Sequence, residues 1–314
     1  MKRFTLAILF LLAALQAAAL KKDPVYRDAR INGALTKVEL HIEDDDGMPV
    51  EKAKVKAYLG MNFRPRGKWV EGLSDTNGVF VIEGKTCGDE IEVFVNKTGY
   101  YDSKVKYSYA KIGAEHEVKD GKWQPYGAEE KIVLRRILCP VSLLSQGGGF
   151  DIPATNKWIA FDVFKMDWVR PYGNGDTDDI QLMFEWDGLF QNRSTFQNLK
   201  LRFPNCVDGA YVLPKHDYSS FLYAYFAQTN ANYRKEFDYS MRRENGKYVE
   251  DKLGDSSELV CRLRSVTNEY GQVVSCYYGQ FRSIDFGGGV DKGEFYLYRD
   301  LNLTPNDTNL EPKR

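Results

Sequence analysis

The stretch LSDTNGVFVIEGKTCGDEIEVFV, from Leu73 to Val95, decides the fold class of this chain. It begins with the turn signal Asp-Thr-Asn-Gly at positions 75–78 and continues with runs in which apolar residues recur at every second position. Asp and Asn hydrogen-bond to nearby backbone groups, and Gly adopts the positive φ that lets the chain reverse. Alternation with a period of two is typical of a strand with one buried face. The stretch therefore predicts short strands joined by a tight turn.

The same pattern recurs along the first half of the chain. Val38, Leu40 and Ile42 alternate with charged or polar residues, and a second alternating run follows at 53–57. Between residues 34 and 138 the chain holds about six or seven such runs, separated by turn signals and without helical periodicity. This organisation predicts a small antiparallel β-sandwich.

These motifs also carry a resemblance to a known family. The segments GMPVEKAKVKAY, SDTNGVFVIEG and IEVFVNKTGYYDSKV follow one another in the order found in the carboxypeptidase regulatory-like, or transthyretin-like, β-sandwich module. The resemblance implies an Ig-like sandwich that serves as a non-catalytic accessory or adhesive module, and it implies no specific activity. The matching positions are Gly47, Pro49, Ala53, Val55, Asp75, Gly78, Phe80, Ile82, Gly99 and Tyr100.

The second half of the chain is also rich in short strand patterns bounded by Gly, Pro, Asn and Asp. We expect the carboxypeptidase regulatory-like sandwich at residues 34–139, a linker at 140–153 loosened by three glycines, a larger sandwich or jelly-roll-like β domain at 154–303, and a flexible tail at 304–314. The segment 218–246 fits a helix and a strand equally well. The whole arrangement resembles uncharacterised two-domain secreted bacterial proteins, which implies export and supplies no activity.

The first residues of the chain predict export. A basic start, an apolar run and Ala17-Ala18-Ala19 form the three-part pattern of a secretory signal peptide, so we expect residues 1–19 to be removed. No later apolar stretch is long enough to span a bilayer. The formal net charge of -1 gives no field that favours nucleic acid. The predicted location is therefore periplasmic or extracellular, and the sequence does not decide the oligomeric state.

The cysteines allow one candidate disulfide. The chain has 5 Cys, an odd number, and no CxxC spacing that would indicate zinc or redox chemistry. Cys261 and Cys276 flank a turn-rich segment and could face each other across a hairpin. Two buried free thiols would give the same sequence pattern.

The densest polar cluster, YGNGDTDDI, makes Asp176, Asp178 and Asp179 candidate calcium ligands. Calcium binds six to eight hard oxygens, which a Gly-rich loop with several Asp residues can present. A solvated turn favours the same residues for backbone reasons alone. No other cofactor is indicated.

Aromatic residues give the other candidate site. Trp168, Tyr172 and Trp186 could stack on sugar rings, and we expect Trp168 to be exposed because it ends a strand just before Arg170-Pro171. Core packing explains the same residues. No catalytic motif is present, which favours a non-catalytic binding or structural protein with a protein or glycan partner. The alternative is a carbohydrate-active enzyme or its accessory module.

Overall fold

The computed structural model of the chain describes residues 24–60, 67–109, 118–186, 196–213, 220, 224–244, 247–252, 258–288 and 293–313. These residues are mainly antiparallel β-strand, with a short helix α1 (Pro24–Asn32), so the predicted mainly β fold class is confirmed. None of the helical residues among them forms a helix long and apolar enough to cross a bilayer. The predicted signal peptide lies outside the described residues.

The chain divides into two compact units. The first ends at Ile137 and also includes Ser220, and the second begins at Leu138. The strands of the first unit are β1 (Ala34–Asp44), β2 (Lys54–Gly60), β3 (Gly67–Leu73), β4 (Val79–Thr86), β5 (Glu90–Asn96), β6 (Ser103–Ser108), β7 (Val118–Lys119), β8 (Lys122–Trp123) and β9 (Ala128–Leu134).

The first unit is built from two sheets that share one apolar core. One sheet has the order β4-β1-β8-β7, with β9 paired in parallel to β1, and the other has the order β3-β2-β5-β6. The alternation predicted for β1 holds, since Val38, Leu40 and Ile42 are fully buried. Ile91 and Val93 of β5 belong to the same buried cluster. Burial of one face of each strand therefore accounts for the period of two.

The turn at 75–78 connects β3 of one sheet to β4 of the other. The Asp75 carboxylate accepts hydrogen bonds from the backbone N–H groups of Asn77 and Val79, at 2.9 and 2.8 Å. Gly78 has φ +74 and its carbonyl accepts the Ile42 N–H at 2.9 Å. The turn thus joins the sheets and is also bonded to the central strand β1.

Trp123 organises the aromatic part of this core. It is fully buried, and its indole N–H donates to the Thr86 carbonyl at 2.9 Å. The ring stacks on Tyr109 at 5.7 Å and meets Tyr26 of α1 edge-on at 6.0 Å. The helix α1, which the sequence pattern does not indicate, packs Ala29 and Tyr26 against the same core.

The second unit contains the remaining strands. They are β10 (Leu144–Asp151), β11 (Ile159–Asp162), β12 (Asp167–Trp168), β13 (Ile180–Trp186), β14 (Phe196–Arg202), β15 (Gly209–Val212), β16 (Glu236–Glu244), β17 (Lys247–Lys252), β18 (Leu259–Thr267), β19 (Val273–Gly288) and β20 (Gly293–Leu301).

Two sheets again enclose an apolar core in the second unit. Their orders are β10-β20-β19-β18-β15 and β12-β11-β13-β14-β16-β17. The shared core takes Phe161 and Phe184 from one sheet, and Phe281 and Phe295 from the other. Within segment 218–246, which fitted helix and strand equally, the structure places the strand β16.

Two sequence expectations about the boundaries of this unit are wrong. The segment 140–153 is not a free linker, because eight of its residues form β10 and pair antiparallel with β20 from Leu144 to Asp151. The tail 304–314 is not loose where it is described. Glu311 is fully buried and its carboxylate accepts the N–H groups of Leu138 and Cys139 at 2.7 and 2.6 Å.

The predicted Cys261–Cys276 disulfide is also wrong. Both thiols are free and buried. Cys261 belongs to the main core of the second unit, whereas Cys276 packs in a separate cluster with Val260 and Tyr278. The two side chains therefore point to opposite faces of the β18–β19 pair, which no disulfide geometry can bridge.

We expect Gly78→Ala to destabilise the first unit more than Gly99→Ala. Both glycines have positive φ, +74 and +87, so each substitution carries the left-handed backbone penalty of about 1–2 kcal/mol. At Gly99 nothing lies within 4 Å of the new Cβ, whereas at Gly78 it would press on the Ile42 carbonyl oxygen. Displacing that carbonyl also breaks the hydrogen bond that it accepts from the Val50 N–H at 2.9 Å, which adds about 2 kcal/mol.

Urea unfolding of the two variants measures this difference. Equal losses of unfolding free energy would show that the turn is not pressed against β1.

Candidate functional site

A cleft of about 640 Å³ opens in the second unit. One wall is the end of β10 and the residues after it, and the other is β12 with the turn that follows. The lining residues are Gly149, Phe150, Asp151, Ile152, Pro153, Asp167, Trp168 and Tyr172. Two of the three residues predicted to stack on sugars, Trp168 and Tyr172, therefore meet in one cleft.

Trp168 forms the floor of the cleft. It is only 5% exposed, so the expectation that this residue is exposed is wrong. Its ring meets Phe161 at 5.1 Å and Phe295 at 6.0 Å, both core residues. The indole N–H donates to the Asp151 carbonyl at 2.9 Å and so ties β12 to the end of β10. The position of Trp168 at a strand end does not expose it, because residues of the other sheet cover this end of β12.

Tyr172 forms the exposed rim of the cleft. The residue is 37% exposed. The Lys157 ammonium lies 5.0 Å from the centre of the Tyr172 ring and hydrogen-bonds its hydroxyl. Trp186 ends β13, and its side chain lies outside the described residues. The described part of the predicted aromatic platform is thus a single exposed ring beside a buried one.

The turn after β12 is held by the Asp167 carboxylate. One oxygen accepts the N–H of Trp168 at 2.8 Å and the other accepts the N–H of Asn174 at 2.9 Å. A Cβ at position 173 would collide with that carboxylate and with the Trp168 carbonyl, so only Gly173 fits. Residues 171–175 therefore wrap closely around Asp167 and place Tyr172 at the rim.

The acidic residues predicted to bind calcium do not converge. Asp176 pairs with the Lys165 ammonium at 2.6 Å, and Asp178 accepts a hydrogen bond from the Gln181 amide at 2.5 Å. Asp179 is buried and pairs with Arg264. Among the residues that the structure describes, no three His, Cys, Asp or Glu side chains are placed to hold a metal ion. Each of these carboxylates is therefore directed to a different partner in this structure, and the calcium site stays a prediction.

Arg264 joins two buried carboxylates instead. Its guanidinium contacts Asp179 at 2.7 and 2.9 Å and Asp162 at 2.9 Å. It also lies over the Phe164 ring at 3.8 Å. The Asp162 carboxylate further accepts four backbone N–H groups from 164, 165, 176 and 177. The network fixes the loop 162–179, which includes β12 and the rim of the cleft.

Burial and hydrogen bonding shift the pKa values of these carboxyl groups in opposite directions. Burial raises the pKa of Asp179, and the Arg264 guanidinium offsets part of that rise. Burial also acts to raise the pKa of Asp162, but backbone N–H groups and Arg264 outweigh it, so that pKa is lowered. Arg264 therefore favours the charged form of both buried acids.

Sequence reasoning missed Asp162 and Arg264. Period two places Arg264 on the polar side of β18, where it reads as a solvated residue. The structure puts it at a β-bulge between Leu263 and Val266 with φ +52, and this irregularity turns its side chain toward Asp179. The alternation of polar and apolar residues in the sequence does not show where such a β-bulge occurs.

Comparisons with known proteins give no assignment. No family model and no curated protein matches the chain. Among solved structures, it is similar to 3-chlorocatechol 1,2-dioxygenase from Rhodococcus opacus 1CP at 10% identity and a TM-score of 0.27, over 33% of this chain and 61% of that one. The chain thus spans about three fifths of that dioxygenase.

Two other solved structures show the same level of similarity. Catechol 1,2-dioxygenase from Acinetobacter sp. ADP1 is 13% identical over 34% of this chain and 54% of that one, with a TM-score of 0.26. A mutant of the shaft pilin spaA from Lactobacillus rhamnosus GG is 11% identical over 59% of this chain and 94% of that one, with a TM-score of 0.22. Similarity this low carries no information about function.

We expect Arg264→Leu to lower the free energy of unfolding by about 3–5 kcal/mol, because it leaves buried carboxylates without their partner. Without Arg264, the folded-state pKa of Asp179 lies further above its unfolded value of about 4. A carboxyl group with a raised folded-state pKa destabilises the fold at pH values above its unfolded pKa, and protonation of the group removes this destabilisation. The deficit relative to wild type therefore narrows as the pH falls toward about 4.

Chemical denaturation across this pH range measures the deficit. The double variant Arg264→Leu/Asp179→Leu is the control and loses less than the single variant at neutral pH. A single-variant deficit that does not change with pH would contradict this account of the network.

Proposed function

We propose that the chain is an exported, non-catalytic binding or structural protein, and that the cleft of the second unit is its ligand-binding surface. The observation that carries the proposal is the cleft itself, with an exposed Tyr172 at the rim, a buried Trp168 as the floor and a fixed loop around them. Concave sites that combine aromatic walls with a few placed polar groups are typical of ligand binding.

The hydrogen bonds of Asp167 support a non-catalytic function. Its two carboxylate oxygens accept backbone N–H groups of the turn that carries Tyr172. A glycosidase needs two carboxyl groups that can donate protons, activate water or attack the sugar. Two aspartates line the cleft, Asp151 and Asp167, and the second of them is engaged by the turn. A carboxylate whose hydrogen bonds hold a turn together is suited to positioning Tyr172. We therefore assign Asp167 a structural role in the cleft.

For the first unit we propose a carboxypeptidase regulatory-like sandwich that acts as a spacer or docking module. The turn at 75–78 and the buried Val55 and Ile82 support this proposal, since they are residues on which the sequence resemblance rests. The ligand surface then belongs to the second unit.

We expect Tyr172→Ala to weaken ligand binding about tenfold, because an aromatic side chain that a ligand covers on binding contributes about 1–2 kcal/mol. Wild type and variant would be applied to an array of glycans and to a library of immobilised random peptides. Tyr270→Ala is the matched control, since Tyr270 is 79% exposed on a turn of the same unit and does not line the cleft.

Two results would count against the proposal. Ligands that bind wild type and both variants equally would remove the cleft as the binding surface, as would the absence of any ligand. Release of cleaved sugar from a bound glycan would favour the carbohydrate-active alternative.

We expect the mature protein to begin near Leu20 when the tagged full chain is produced in a secreting bacterium, because signal peptidase reads small residues at Ala17 and Ala19. Intact-mass measurement of the chain recovered outside the cytoplasm gives the new N-terminus. Replacement of Ala17 and Ala19 by Phe is the control and blocks cleavage. Recovery of the uncut wild-type chain from the cytoplasm would refute export.

A further inference from the structure

The outer face of the sheet β3-β2-β5-β6 in the first unit carries three aromatic rings in contact. The rings belong to Tyr58 of β2, Trp69 of β3 and Phe94 of β5. Their side chains point away from the core, because residues that alternate with them, such as Ala57 and Val93, are fully buried. The Trp69 ring centre lies 5.1 Å from that of Tyr58 and 5.9 Å from that of Phe94. We call these three residues the aromatic band.

The rings of the aromatic band lie along the sheet. Neighbouring strands are about 4.8 Å apart, so β3 and β5, which flank β2, are about 10 Å apart. The 5.9 Å between the ring centres of Trp69 and Phe94 therefore means that these side chains extend toward each other over β2. The Tyr58 ring is fixed beside them, since it fills the space that a side chain at Gly67 would occupy. Trp69 is still 47% exposed, so the band presents apolar ring surface to solvent.

Ion pairs surround the aromatic band. The three glutamates that these strands direct outward each contact a lysine of the neighbouring strand, at 2.5 to 3.3 Å, and each of the six side chains is between 43% and 56% exposed. One of these lysines, Lys104, also lies 5.1 Å from the centre of the Phe94 ring. Opposite charges thus balance around the rings, while their hydrogen-bonding groups stay at the surface. The pairs are Lys56–Glu71, Lys104–Glu92 and Lys106–Glu90.

This combination of rings and balanced charges is complementary to an uncharged sugar. Nucleic acid requires an excess of basic residues, which the glutamates of the three pairs offset. The core of a protein–protein interface is rich in aromatic residues but depleted in Lys and Glu, whereas here Lys104 lies over Phe94 and Glu92 lies directly opposite Tyr58. A sugar has apolar ring faces that pack on aromatic rings, and hydroxyl groups that hydrogen-bond to ammonium and carboxylate groups.

We propose that the aromatic band binds an uncharged polysaccharide, whose sugar rings pack on Trp69 and whose hydroxyl groups hydrogen-bond to the lysine and glutamate side chains of the three pairs. This inference rests on the docking role proposed for the first unit and names the class of partner. The ligand of the cleft in the second unit is a separate question. Because the polysaccharide carries no charge, its binding should change little with salt, unlike that of a charged polymer.

The test measures binding of the mature full-length chain to sensors coated with uncharged polysaccharides (cellulose, xylan, glucomannan and starch) and with the charged polymers polygalacturonate and chitosan, at low and high salt. We expect at least one uncharged polysaccharide to bind at both salt concentrations. Trp69→Ala should weaken this binding about tenfold, because it removes the ring that contacts the other two. Trp69→Tyr keeps a ring and should bind within about threefold of wild type.

Leu73→Ala is the matched control and should bind as wild type. Leu73 is 59% exposed on the same face of β3 as Trp69, but it lies opposite Lys54, outside the aromatic band. Thermal unfolding would establish that the variants are folded, and the wild-type comparison of uncharged with charged polymers needs no variant. Repeating the Tyr172→Ala screen of the cleft on the Trp69→Ala background removes binding through the first unit, so that the remaining ligands report on the cleft alone.

Each outcome is assigned in advance. Binding to none of the uncharged polysaccharides would overturn the proposal, as would binding to charged polymers alone or an equal effect of Trp69→Ala and Leu73→Ala. Polysaccharide binding that depends on Tyr172 and is indifferent to Trp69→Ala would also overturn it, and would leave the proposed function of the cleft standing. Polysaccharide binding that depends on Trp69, with no ligand that depends on Tyr172, would support the aromatic band and remove the cleft.

Discussion

Burial of one face of each sheet is the constraint on which the rest of this structure depends. In each unit two sheets share a core, and a strand can contribute to that core only through every second side chain. Val38, Leu40 and Ile42 of β1 meet this condition completely. The same arrangement leaves the outer strands with unpaired backbone edges, because an open sheet does not close on itself. The core and the exposed edges are therefore two consequences of one architecture.

The alternation made much of the fold predictable from the sequence, and its limits are visible in β10. Gly147, Gly148 and Gly149 have no side chains that could alternate between two faces, so the sequence predicts a linker here. In the structure the Tyr298 and Tyr296 rings lie where side chains at 147 and 149 would be. The segment forms a strand because it pairs with β20, whose residues lie far along the chain.

The candidate site was predictable in part, for a related reason. The sequence names Tyr172 as a stacking candidate, and the structure places this residue, between Pro171 and Gly173, at the surface. Trp168 was misjudged because its burial comes from Phe295 on the opposite sheet. Arg264 was missed because a bulge redirects it. Local composition predicts turns and strands, whereas the depth of a side chain depends on which elements of the other sheet cover it.

The buried charges and the cleft are connected through Trp168. Arg264, Asp162 and Asp179 fix the loop that contains β12, and Trp168 of β12 in turn holds the Asp151 carbonyl at the end of β10. Cleft walls held in this way lose little conformational freedom when a ligand binds between them, so the entropy cost of association falls mainly on the ligand. The charge network is thus a physical reason why both walls of the cleft are ordered.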